Sequence, residues 1–126
     1  MTFEEFTVSG SALEAPDREQ LHCRFDTLTT AISTRHSDTV DVKFLVNGKG
    51  IVIALAHAGF ARFRESTGRA LTDSEAVRMA GLFLKRLLER GERVEDPILS
   101  VSSEETLELA RQITRPLHNL RAQETP

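Results

Sequence analysis

Three side chains in this sequence are of the types that a small anionic ligand requires. His57 stands where an alternating segment gives way to a helical one, and Arg62 and Arg64 follow shortly after. A guanidinium presents a planar fork of donors to a carboxylate or phosphate, and an imidazole adds a donor or base near neutral pH. Their position at a strand-to-helix junction suits ligand binding, since sites in sheet-and-helix proteins often open there. The plainer alternative is that His57 helps satisfy the start of the helix and the arginines form its solvated face. Arg69, Arg78, Lys85 and Arg86 extend the same basic segment and carry the same two readings.

Other chemistry finds less support. Cys23 alternates with Leu21 and Phe25, which makes it a small buried hydrophobe rather than a thiolate nucleophile. His36, Ser37 and Asp38 are the residue types of a hydrolase triad, but sequence neighbours seldom converge on one point. The four histidines and one cysteine include no i, i+4 His pair and no Cys-x-x-Cys, and no Asp-rich loop accompanies them, so no metal site is expected. Gly48-Lys49-Gly50 sits inside a turn between strands and lacks a Ser or Thr after the lysine, so it is not a phosphate cradle. Glu104, Glu105 and Glu108 crowd the start of a helix, where they favour the positive end of its dipole. No catalytic residue and no cofactor follow from these patterns.

The elements that must position these residues centre on Asp41 to Arg90. Val40, Val42, Phe44 and Val46 alternate with polar or less buried positions, Asn47-Gly48 interrupts, and Ile51 to Leu55 follow. Asn-Gly favours a type I′ turn because both central residues need positive φ. A two-residue loop sets Val46 opposite Lys49, Phe44 opposite Ile51, Val42 opposite Ile53 and Val40 opposite Leu55. A four-residue loop through Gly50 preserves that facing, whereas a three-residue loop would turn Ile51, Ile53 and Leu55 away from the apolar face and is rejected. Val52 and Ala54 add apolar character to the other face, so the second strand is central or covered twice.

Around the hairpin, Phe3 to Val8 and Gln20 to Asp26 alternate as strands, with Ser9 to Asp17 as the connection. Thr27 to Ser33 fits a helical turn or an extended strand; if extended, Thr27 marks a change of face. Phe60 and Phe63 define a short helix that Gly68 can end. Thr72 and Glu75 form a capping-box pattern before a helix whose Ala76, Val77, Met79, Ala80, Phe83, Leu84, Leu87 and Leu88 make a wide apolar stripe. Gly91 suits its C-terminal cap. Pro97 restricts Ile98 to Val101 to an edge strand or extended connector, and Ser102 and Glu105 begin a last helix that Pro116 stops. Residues 117–126 read as a mobile tail. The strongest core predictions are Val42, Phe44, Ile51, Ile53, Phe60, Phe63, Ala80, Phe83, Leu84 and Leu87. The fold expected is α+β: a small antiparallel sheet of three to five strands built round a central hairpin (about 40–55), with two to three helices packed mainly on one face.

Composition sets the outer limits. The 126 residues, 40% hydrophobic and 28% charged, suit one domain over 1–126. A single cysteine excludes an internal disulfide, while an acidic start and no long apolar run argue against a signal peptide and a membrane span, giving a cytoplasmic expectation. Trp and Tyr are absent, which disfavours carbohydrate and single-stranded nucleic acid as ligands. The net charge of −3, despite the basic centre, also weighs against nucleic acid. The function expected is a small non-catalytic protein acting through self-association or protein–protein interaction, a homodimer being favoured. Leu45 and Val52 on the second sheet face and Leu82 outside the helical stripe are the interface candidates. The alternative is a small anionic-ligand-binding protein or enzyme with its site near His57, using Arg62 or Arg64.

Overall fold

A computed structural model describes residues 3–11, 18–31, 38–90 and 97–114. The chain runs β1 (Glu5–Ser11), β2 (Arg18–Ala31), β3 (Thr39–Val46), β4 (Lys49–Ala56), α1 (His57–Thr67), α2 (Asp73–Glu89), β5 (Ile98–Val101) and α3 (Ser103–Thr114). β3 and β4 meet across Asn47 and Gly48, whose φ angles of 51° and 87° are the pair of positive values that a type I′ turn needs. Val46 lies opposite Lys49, Phe44 opposite Ile51, Val42 opposite Ile53 and Val40 opposite Leu55, the register the two-residue loop requires. All of these except Lys49 are buried, so the turn chemistry and the hydrophobic pattern select one pairing.

The sheet order is β1-β2-β3-β4-β5. Neighbours from β1 to β4 are antiparallel, whereas β5 runs parallel to β4. The sheet is therefore mixed, not wholly antiparallel as expected. The cause is connectivity: α1 and α2 intervene between β4 and β5, and a helical crossover returns the chain in the starting direction. β5 is an edge strand, as the proline before it requires.

β2 settles the ambiguous stretch through Ala31 as extended. Phe25 pairs with Phe44 and Thr27 with Lys43, so Asp26 is an extra residue at a β-bulge. The insertion reverses the parity of the strand, which returns Leu28 to the inward face opposite Val42. β1 continues through Ser9–Ser11, where a connection was expected, because Gln20, Glu19 and Arg18 are there to pair with it. The expectations for Ala15-Pro16-Asp17, His36-Ser37, the Gly91 cap, Pro116 and the tail over 117–126 lie outside the described residues.

The helices pack on the inward face: α2 crosses β1 to β4 and touches α3, while α1 packs on α3 and β4. Gly68, with φ 81°, closes α1. Both halves of the α2 capping box form, Glu75 N–H donating to Thr72 Oγ1 (3.1 Å) and Thr72 N–H to Glu75 Oε1 (2.9 Å). At α3, Ser102 Oγ accepts from Glu105 N–H (3.1 Å). Of the expected core, Val42, Phe44, Ile51, Ile53, Phe63, Ala80 and Leu84 are buried, and Phe60, Phe83 and Leu87 are half-buried against them.

Leu82 departs from expectation. It is 9% exposed and belongs to the core. Arg78, one turn earlier on the same side of α2, donates from Nη2 to the Ile113 carbonyl of α3 (3.3 Å), which shows what covers that side. α2 is enclosed by the sheet and α3 together, so its buried arc is wider than its apolar stripe. Leu82 is therefore no candidate for an intermolecular contact.

Candidate functional site

The junction after β4 is built round Thr106, the single buried polar residue among those described. The amide of Val52 points towards β5 and donates to Pro97 O (2.7 Å). The Ala56 amide, four residues on, points the same way, towards the end of β5 at Val101. Thr106 Oγ1 accepts from it (3.2 Å) and donates in turn to Val101 O (3.4 Å). One hydroxyl thereby extends the β4–β5 ladder by a rung and ties the start of α1 to the start of α3. Gly59 makes room for it: a Cβ there would lie 2.7 Å from Thr106 Cβ and Cγ2 and 2.8 Å from Ser103 O. His57 N–H donates to Asp38 O (2.9 Å), fixing the other side of the junction.

α1 presents two faces. Gly59 and Phe63 are buried. His57, Phe60, Ala61 and Arg64 recur at i, i+3, i+4 and i+7 on another side. That second side, Glu65 and the α1–α2 connection at Ala70 and Leu71 line a half-open groove of about 340 Å³. The His57 and Phe60 rings stack, with centroids 6.3 Å apart and planes 6° from parallel. The structure thus brings His57 and Arg64 to one groove and leaves Arg62 out of it. Among the described residues neither arginine is in an ion pair.

The groove wall is held by a polar clamp that sequence reasoning only half anticipated. Arg69 donates from Nη1 and Nη2 to the two carboxylate oxygens of Glu75 (3.0 and 2.8 Å), and its guanidinium carbon lies 5.4 Å from the Phe63 ring centroid. Those hydrogen bonds, against the opposing effect of burial, hold the Glu75 carboxyl down at about 2. Glu75 therefore serves the capping box and the Arg69 clamp at once, which fixes the path of Ala70 and Leu71 between them.

The sheet's outward face is the second candidate. Leu45 and Val52 are half-buried on it, as expected of that parity, and Ile98 pairs with Val52 across β4 and β5. Ile98 is 56% exposed, the large apolar side chain most open to water among the described residues. Ala54 adjoins this patch. Around it are polar groups of both signs: Arg24, Asp41, and Lys43, whose ammonium lies 3.8 Å from Asp26.

Cys23 is fully buried, and burial pushes its thiol up to about 12. Among the described residues no three His, Cys, Asp or Glu side chains gather as a metal site, and no helix is long and apolar enough to cross a membrane. Comparison with protein families, with curated proteins and with solved structures finds no significant match to this chain.

Proposed function

We propose that this protein acts by self-association, a second copy docking on the outward face of its sheet. The observation that carries the reading is the Val52–Ile98 patch, with Ile98 56% exposed across from a half-buried Val52, and Leu45 half-buried on the same face, which the described helices leave open. Burial of such a patch is favourable in proportion to the apolar area removed from water. A second copy suits the face because it carries cations (Arg24, Lys43) and anions (Asp26, Asp41) together, so two copies can complement each other without a partner of strong opposite charge.

Size argues for a reversible dimer. Five strands at about 4.8 Å spacing and about 25 Å length give roughly 500 Å² per face, or about 1,000 Å² for two copies. That is the low end for a specific interface, so dissociation in the micromolar range is expected. A cytoplasmic setting belongs to the same proposal, since a buried Cys23 thiol makes no demand on an oxidising compartment. Size-exclusion chromatography with light scattering tests the reading. Ile98→Asp and Leu45→Lys should each shift the protein towards monomer with the fold retained, while Arg64→Gln, on the other side of the molecule's core, should not. Unchanged mass in both sheet-face variants would defeat it.

A further inference from the structure

The groove on α1 has a composition that the sheet-face proposal does not use. Its apolar lining comes from Phe60, Ala61, Ala70 and Leu71, with the His57 ring stacked on Phe60. Arg64 lies seven residues further along α1, about 10 Å away along the helix axis. Glu65 is next to it, so the groove offers one cation and one carboxylate at the same end. A simple organic anion would gain from Arg64 and lose to Glu65. A ligand with both charges on one carbon gains from both.

We infer that this groove binds a small apolar zwitterion, an α-amino acid with a large aliphatic or aromatic side chain. The carboxylate is taken by the Arg64 guanidinium, which no carboxylate of the described chain engages, and the ammonium by Glu65. The side chain lies along Phe60 and Leu71 towards His57. A volume of about 340 Å³ is within the roughly 300–1,000 Å³ of small-molecule sites, at the end that suits a ligand of this size. The half-open shape leaves one side of the ligand in water, which sets the affinity near millimolar. The clamp of Arg69 on Glu75 keeps the Ala70–Leu71 wall in place without a ligand, so the site is formed before binding.

Titration of the full chain with L-phenylalanine, followed by amide NMR shifts, tests the inference. Shifts saturating at about 10 mM or below and confined to residues 57–65 and 70–71 are expected. Arg64→Gln and Glu65→Gln should each weaken binding by about fivefold or more, with Arg62→Gln, the same charge change outside the groove, binding as the wild type does. 3-Phenylpropionate and phenethylamine, each lacking one of the two charges, should bind more weakly than the amino acid. Absence of saturable shifts, insensitivity to Arg64→Gln, or equal binding of 3-phenylpropionate would overturn it.

Discussion

Replacing Thr106 by valine removes one oxygen and keeps the shape of the side chain. In the wild type that oxygen serves two backbone groups, accepting from the part-buried Ala56 N–H at 3.2 Å and donating to the buried Val101 O at 3.4 Å. The hydroxyl bridges that amide to the last carbonyl of β5, so without it both groups lose a hydrogen bond at once. Both bonds are long, so each is worth towards the lower part of the usual 0.5–1.5 kcal/mol, but leaving a part-buried donor and a buried acceptor without the hydroxyl adds desolvation. The sum is about 2 kcal/mol. For a chain of this length that lowers the melting temperature by roughly 6–8 °C. Urea unfolding of Thr106→Val should show a lower midpoint with an unchanged slope, since the surface exposed on unfolding is the same. Thr106→Ser, which keeps the hydroxyl but loses the methyl facing Gly59, should cost about 1 kcal/mol. A valine variant within about 0.5 kcal/mol of wild type would refute the hydroxyl-relayed rung.

Other outcomes follow from the same geometry. Gly59→Ala should destabilise by about 1–3 kcal/mol in urea, although alanine is the better helix former, because its Cβ would lie 2.7 Å from Thr106 Cβ. Glu75 has its ordinary value of 4.5 lowered to about 2 in the fold, so its contribution is fully present above pH 4.5 and is lost as pH falls from there towards 2. The pH dependence of unfolding in that window should flatten in Glu75→Gln.

The hairpin was legible because Asn47-Gly48 fixes the turn and the apolar alternation fixes the face, two local signals that agree. The change of face near Thr27 could be read from parity, but that a bulge at Asp26 produces it depends on pairing with β3. The parallel β5 was not legible, since four short residues carry no mark of strand direction and only the crossover sets it. Leu82 misled for a related reason: an apolar stripe shows where a helix is greasy, not how many neighbours enclose it. At the groove, helical spacing put His57 and Arg64 together and set Arg62 aside, and that much was available in the sequence. Ala70 and Leu71 come to the same wall only through the Arg69–Glu75 clamp, a tertiary fact. Thr106 left one faint trace, a glycine in the interior of α1 that the helix itself does not need.

Sedimentation equilibrium of the unmodified protein across the micromolar range, beside Ile98→Asp, tests the association claim most directly. The account predicts an average mass rising from 14.1 kDa towards twice that value with concentration in the wild type and staying at 14.1 kDa in the variant. A wild-type mass fixed at 14.1 kDa throughout, or a variant that associates as the wild type does, would contradict it.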